Sequence, residues 1–197
     1  MFKRLILTLV NGIALFLLLI LHIITPKVSK KTILFGVKVP KDAIYYPEVQ
    51  KLYKEYERIS QKIGVIVLII LSLLVFYFDH LGFQVLSIFF YIGVLFIIYL
   101  RTNYKARKLK KENNWDKIGS KVVILDKEDS LEIQTKTEDD LWILGNTIYC
   151  NSKDSSLFVK KRYGTGWVIN LGRPLGKILF TIFLIGLIII IFKFIKI

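Results

Sequence analysis

The chain has 197 residues and is 54% hydrophobic, with a mean hydropathy of +0.52. The apolar residues are concentrated in uncharged blocks, which excludes an ordinary soluble domain and indicates an integral membrane protein. The net charge of +14 would favour nucleic acid in a soluble protein, but here it predicts orientation in the membrane and no nucleic-acid partner. The single cysteine excludes an internal disulfide, and we expect Cys150 to be a small buried strand residue.

The first apolar block, Leu5–Thr25, has 21 residues without a charged side chain. This length exceeds that of a signal-peptide core, and no small-x-small cleavage site precedes Pro26. The block therefore predicts an uncleaved transmembrane helix in residues 1–25, which Pro26 ends. We expect Asn11 to hydrogen-bond a neighbouring helix and His22 to reach interfacial water.

Residues 26–62 form a basic segment between apolar blocks. The alternation within Thr32–Pro40 predicts a short strand ended by the proline. Pro47 then opens an amphipathic helix, whose apolar residues recur every three to four positions from Val49 onward. We expect this helix to run directly into the next span.

Residues 63–100 contain two uncharged runs, Ile63–Phe78 and Phe83–Leu100, of 16 and 18 residues. At about 1.5 Å per helical residue they reach roughly 24 and 27 Å, close to the thickness of the hydrocarbon core. The short polar link between them predicts a transmembrane hairpin. Asp79 and His80 in this link suit a helix stop and start at the outer interface better than a proton relay.

Residues 101–173 begin as a basic helical stalk and then change to the alternation of short strands. We expect a hairpin from Val122–Leu125 and Leu131–Thr135, and further strands near Trp142–Leu144, Thr147–Cys150, Leu157–Lys161 and Trp167–Leu171. The aromatic residues expected in the core of this β-meander are Trp142, Tyr149, Phe158 and Trp167. Glu138–Asp140 is interpreted as a solvated acidic loop, because a divalent cation needs about six oxygens in fixed geometry.

Residues 174–197 supply a fourth apolar block, in which 13 of the 15 residues of Ile178–Phe192 are Leu, Ile or Phe. The sequence thus predicts an α-helical integral membrane protein. Its four transmembrane helices would carry a small cytoplasmic β-meander between the third and the fourth.

Charge distribution predicts the orientation. Of the 29 Lys and Arg residues, 25 lie in residues 26–62 and 101–177. The positive-inside rule therefore places both polar segments in the cytoplasm and both termini outside a plasma membrane. The short tether to the last helix brings a group of basic residues near the anionic leaflet. These residues are Lys160, Lys161, Arg162 and Arg173.

Two stretches of the chain resemble a group of bacterial membrane proteins. Trp142–Asn151, Lys153-Asp154, Leu157–Lys160, Gly164–Trp167 and Asn170–Gly172 resemble a short domain of unknown function in that group. Ile33–Pro40 resembles a phenylalanine-glycine-valine-arginine-valine-proline motif of the same proteins, with Lys38 in place of the arginine. These proteins are grouped near the SdpI-like family, some of whose members act in immunity to secreted toxic peptides and in signalling. The proline-histidine-asparagine motif of SdpI-like proteins is absent from this sequence.

The function that these patterns favour is a non-enzymatic regulatory, immunity-type or interaction protein, since no catalytic motif and no cofactor or metal motif is present. An accessory subunit of a transporter or export system is the alternative. Its transport path would need ionisable groups at mid-bilayer, which the last three apolar blocks lack. We expect another protein as partner beside anionic lipid, with an oligomer possible. The residues expected to shape one cytoplasmic unit without forming a catalytic site are Gly36, Pro40, Trp142, Gly145, Asn151, Asp154, Gly166, Trp167 and Asn170.

Overall fold

The computed structural model describes residues 1–115, 138–145, 147–161 and 166–195, with side chains as far as residue 189. The expected hairpin at Val122–Leu125 and Leu131–Thr135 lies outside these residues, as does Arg162. The described elements are α1 (Phe2–Val28), β1 (Ile33–Leu34), β2 (Val37–Lys38), α2 (Pro47–Phe78), α3 (Leu81–Glu112), β3 (Trp142–Ile143), β4 (Ile148–Tyr149), β5 (Phe158–Lys160), β6 (Trp167–Ile169) and α4 (Pro174–Ile195).

The structure is mostly helical, and α1, α2 and α3 are each long and apolar enough to cross a membrane. This confirms three of the four predicted spans at the level of length and composition. The apolar part of α4 with described side chains, Pro174–Ile189, is shorter than that length. The fourth span therefore stays a prediction.

The expectation that Pro26 ends the first helix is wrong, because α1 contains Pro26 and continues to Val28. A proline has no N–H for the carbonyl four residues earlier, which here belongs to His22. The hydroxyl of Tyr56, on α2, donates to that carbonyl oxygen at 3.0 Å. The replaced hydrogen bond allows the helix to continue for two residues beyond the proline.

The amphipathic helix and the second span are one continuous helix, α2, as expected. Asp79 caps the end of α2 with a left-handed backbone conformation, φ 47°. At the start of α3, Nδ1 of His80 accepts the N–H of Gly82 at 3.1 Å. Arg4, at the start of α1, pairs with Asp79 at 3.1 Å. Asp79 and His80 thus act as the predicted helix stop and start.

Close contacts of small and polar residues fix the three long helices. A Cβ on Gly64 of α2 would lie 2.5 Å from Cδ1 of Leu19, so the glycine lets α1 approach. The hydroxyl of Tyr91, on α3, donates to the carbonyl of Gly64 at 3.2 Å. Asn11 is fully buried, and its Oδ1 lies 3.0 Å from Oγ of Ser87 on α3, as expected for an interhelical hydrogen bond.

The stretch predicted as one strand folds instead as a tight hairpin, with Leu34 opposite Val37. Its turn residues, Phe35 and Gly36, both have positive φ, 45° and 85°. Leu34, Phe35 and Val37 are all at most 1% exposed, because they insert among the helices. The Phe35 ring lies 4.9 Å from the Tyr56 ring, centre to centre. We call residues 33–39 the plug.

The expected β-meander is also wrong, because β3–β4 and β5–β6 form separate antiparallel hairpins. Among the described residues, the two hairpins meet through one parallel bridge, which joins Tyr149 to Asn170. The intervening residues fold back around Asn170 and do not continue the sheet. Cys150, just beyond β4, is exposed and not buried as expected.

We call residues 142–171 the β-unit, and the aromatic core predicted for it is half right. Trp142 and Tyr149 are 3% and 7% exposed, with ring centres 5.0 Å apart. Phe158 and Trp167 are 52% and 66% exposed. A two-stranded hairpin has no core of its own, so side chains on its unpaired face stay accessible.

Candidate functional site

A row of polar side chains on α3 connects the plug to the second polar segment. Asn103 and Arg107 are four residues apart and therefore share a helix face. Nδ2 of Asn103 donates to the carbonyl of Phe35 at 2.5 Å, and Nε of Arg107 donates to Oδ1 of Asn103 at 3.2 Å. The other side of the Arg107 guanidinium donates to the carbonyls of Asp139 and Trp142, at 3.2 and 2.8 Å.

Asp139 completes this network and corrects an expectation. Its carboxylate pairs with Lys110 at 2.5 Å and lies 3.4 Å from the backbone nitrogen of Lys38. Both charged side chains are nearly buried, at 7% exposure for Asp139 and 12% for Lys110. The interpretation of Glu138–Asp140 as a solvated loop is therefore wrong for its central residue. Removing one member of such a pair leaves a buried charge without compensation.

Gly145 is the point at which the β3–β4 turn contacts α3. Its φ is +65°, and a Cβ there would lie 2.5 Å from Cε1 of Tyr99. The Tyr99 hydroxyl donates to the carbonyl of Gly145 at 2.8 Å. Only glycine satisfies both the backbone angle and this close approach.

Asn170 organises the loop between β4 and β5. The side chain is fully buried. Its Oδ1 accepts the backbone N–H groups of Asn151 and Gly172 at 3.0 and 2.9 Å. Its Nδ2 donates to three carbonyls, those of Asn151, Asp154 and Ser156, at 2.8, 3.3 and 3.1 Å. One amide thus replaces the backbone partners that a sheet would have supplied.

Asp154 stabilises the same loop from within. The N–H of Ser156 donates to its Oδ1 at 2.8 Å, and the Tyr149 hydroxyl donates to Oδ2 at 3.0 Å. These hydrogen bonds, that of the Ser156 backbone first, lower the pKa of the Asp154 carboxyl. Asn151 also stabilises the loop, since its Oδ1 accepts the N–H of Lys153 at 3.0 Å.

Two glycines that the sequence did not single out as site residues are required by this loop. A Cβ on Gly172 would lie 2.3 Å from the carbonyl carbon of Asn151, and one on Gly176 would lie 2.0 Å from the carbonyl oxygen of Asn170. The only signal in the sequence is a pair of glycines on either side of Pro174. Gly172 belongs to the Asn170–Gly172 part of the sequence resemblance, whereas Gly176 belongs to no predicted motif.

The remaining predicted site residues lie in other places. Gly36 belongs to the plug, and Pro40 is the residue directly after it. Gly166 has φ 109°, a Cβ there would meet no described atom within 4 Å, and Trp167 beside it is exposed. The structure thus brings together Asn151, Asp154 and Asn170, and it places the other six elsewhere. Within the described ranges, no group of three His, Cys, Asp or Glu side chains is placed to hold a metal ion.

The basic residues expected at the leaflet differ from one another. Lys160 and Lys161 are exposed at the end of β5. The guanidinium of Arg173 donates to the carbonyl of Ser155 and so helps to hold the loop. Among the described residues, Lys160 and Lys161 have no ion-pair partner.

One family model matches the chain, over residues 153–177, and it is described as a family of unknown function (DUF5808). The matched stretch contains most of the Asn170 loop, the β5–β6 hairpin and the first turn of α4. No curated protein and no solved structure matches the chain. The similarity therefore concerns this short stretch and names no activity.

Proposed function

We propose that the chain is a non-enzymatic membrane protein of regulatory, immunity or interaction type, whose cytoplasmic unit presents the β5–β6 hairpin to another protein at the membrane surface. One observation carries the proposal. Phe158, Lys160 and Trp167 share a face of the hairpin, since Lys160 pairs directly with Trp167 and lies two residues from Phe158. Its two aromatic side chains are more than half exposed. We call these three residues the aromatic face.

The use of polar side chains supports a presenting role over a catalytic one. Asn103, Arg107 and Asn170 all direct hydrogen bonds to backbone carbonyls. Such groups hold the unit in shape. Among the described residues, the aromatic face makes no comparable side-chain hydrogen bond, and exposed aromatic residues beside a cation are typical of protein interfaces.

We also propose the cytoplasmic side for this unit. The excess of Lys and Arg in the two polar segments supports it. Lys38 contacts Asp139, which supports placing both polar segments at the same end of the helices. Arg4 pairs with Asp79, which supports placing the N-terminus at the opposite end. A cysteine at Ser155, in a chain carrying Cys150→Ser, should resist an impermeant maleimide in intact cells and react after lysis. Labelling in intact cells would place the unit outside.

The presenting role is tested by photocrosslinking in native membranes. A photoreactive phenylalanine analogue replaces Trp167 in one variant and the exposed Ser152, away from the aromatic face, in the control. We expect one protein to be captured at Trp167 and not at Ser152, with capture reduced by Lys160→Glu. Equal capture at both positions, or lipid adducts alone, would contradict the role. A transporter or export protein as the captured partner would assign the alternative role of accessory subunit.

A further inference from the structure

A cavity of about 270 Å³ lies where the three long helices meet the β-unit. His22 of α1, Tyr56 of α2 and Phe96 and Tyr99 of α3 give it an aromatic wall, and Lys161 lines its edge. The cavity is below the ~300–1,000 Å³ that drug-sized ligands occupy. Its size suits a small polar group carried on a larger molecule.

The wall contains a polar group that is already satisfied. The Tyr56 hydroxyl lies 2.9 Å from Nε2 of His22 while it donates to the His22 carbonyl at 3.0 Å. A hydroxyl has one proton, so the contact with Nε2 of His22 is a second hydrogen bond only in the tautomer that carries a proton on Nε2. This pair supplies the donor that the His22 carbonyl loses at Pro26, and it forms part of the wall of the cavity that Lys161 also lines.

Lys161 is the cation of the cavity. Among the described lining residues it alone is a Lys or Arg, and no described carboxylate pairs with it. Lys27, near the C-terminal end of α1, differs in this respect, because it is paired with Glu57 at 2.9 Å. An ammonium group beside an apolar cavity is stabilised by an anion that carries its own apolar part.

We propose that this cavity binds the phosphate headgroup of an anionic phospholipid of the cytoplasmic leaflet, with Lys161 as its charge partner. The headgroup site rests on the proposed placement of the β-unit at that leaflet. Phe96 and Tyr99 lie at the end of the predicted span Phe83–Leu100, and His22 lies at the end of Leu5–Thr25, so a lipid bound there would keep its acyl chains in the bilayer. The bound headgroup would join β5 to α1 and α3 and hold the aromatic face at a fixed height.

The test counts lipids bound to the full chain, purified in mild detergent, by native mass spectrometry. The protein is titrated with phosphatidylglycerol and, separately, with phosphatidylcholine of the same acyl chains. We expect one phosphatidylglycerol to be retained in preference. Lys161→Gln should weaken that retention about fivefold, the equivalent of ~1 kcal/mol for one cation at an anionic surface. Lys160→Gln is the matched control, one position away and not lining the cavity, and should change retention less than twofold.

A second variant tests the cavity without changing charge. Thr147, which lines the cavity from the β3–β4 turn, becomes tryptophan, and retention should fall although Lys161 is intact. Equal losses from Lys160→Gln and Lys161→Gln would show diffuse attraction and overturn the site, as would unchanged retention in Thr147→Trp. Displacement of the lipid by millimolar inorganic phosphate would identify a soluble anion as the ligand. Each of these outcomes is independent of maleimide labelling at Ser155, which tests the placement alone.

Discussion

Replacing Asn170 by alanine tests whether one buried amide holds the loop that the family match contains. The substitution removes an acceptor for two backbone N–H groups and a donor to three carbonyls. Asn170→Asp is the sharper change, because it keeps Oδ1 and the side-chain size. It replaces Nδ2 by an oxygen that faces three carbonyl oxygens, so it should be at least as destabilising as alanine.

The expected magnitude follows from which groups lose their partners. The carbonyls of Asp154 and Ser156 lie in an accessible loop, where water can replace the amide. The N–H groups of Asn151 and Gly172 are half-buried, and each buried group without a partner costs ~1–3 kcal/mol. We expect Asn170→Ala to lower the free energy of opening of this loop by ~2–4 kcal/mol, which is roughly 30- to 700-fold in the opening equilibrium.

Hydrogen exchange followed by mass spectrometry on the full chain in nanodiscs measures this opening directly. Peptides covering residues 150–158 and 168–176 should lose protection, and those from α2 should not. Asn113→Ala is the control, because the one side-chain partner of Asn113 among the described residues is the carbonyl of Leu109, in the helix that Asn113 caps. The reasoning fails if Asn170→Ala and Asn113→Ala change exchange equally, or if Asn170→Asp keeps the protection of the native chain.

Three further predictions concern single side chains. Trp142→Ala should lower the free energy of unfolding by ~3–5 kcal/mol, whereas substitution of the exposed Trp167 by alanine should lower it by under ~1 kcal/mol. Protein level and thermal midpoint are measured for both variants, and equal midpoints would contradict the buried position of Trp142. Tyr56→Phe leaves a carbonyl of α1 without its donor and should cost ~1–3 kcal/mol by thermal unfolding, against no change for the exposed Tyr104→Phe. The pKa of the Asp154 carboxyl is lowered, so its contribution to the hydrogen-exchange protection of the loop should be complete above the ordinary carboxyl pKa. This contribution should be lost as the pH falls through the lowered value, and an acid transition that survives in Asp154→Asn would refute this.

The helices could be predicted from the sequence because their signal is local. An uncharged run of sufficient length needs no distant partner to be recognised, and α1, α2 and α3 follow from Leu5–Thr25, Ile63–Phe78 and Phe83–Leu100. The turn at Asp79 and His80 is equally local, since both residues act on backbone groups within four positions.

The errors came from contacts between residues far apart in the chain. Pro26 normally ends a helix, and the hydroxyl that replaces its missing hydrogen bond belongs to Tyr56, 34 residues from the carbonyl it contacts. The burial of Asp139 depends in the same way on Lys110, 29 residues away. Composition made Asp139 look solvated, because its immediate neighbours are acidic and its partner is not a neighbour.

The positive φ of Phe35 shows the same limit. A non-glycine residue in the left-handed region costs of order 1–3 kcal/mol, and nothing within the hairpin offsets that cost. Its carbonyl accepts from Asn103, 68 residues later, and its ring packs on Tyr56. The strand predicted for Thr32–Pro40 is therefore what the local pattern favours, and the contacts with α2 and α3 override it.

The extent of the family match is consistent with this division between local and distant contacts. All five hydrogen bonds of the Asn170 amide fall within residues 151–172, and the two glycines that contact this loop are Gly172 and Gly176. A structure of this kind can be encoded by a short stretch, and the match covers 153–177, which includes every partner of the Asn170 amide except Asn151. The Asn103–Arg107 network instead joins the plug, α3 and residues 139–142, so no short stretch can encode it. We therefore expect the Asn170 loop to withstand changes in α3 that release the plug: Arg107→Ala should raise hydrogen exchange in residues 33–39 while residues 150–158 stay protected.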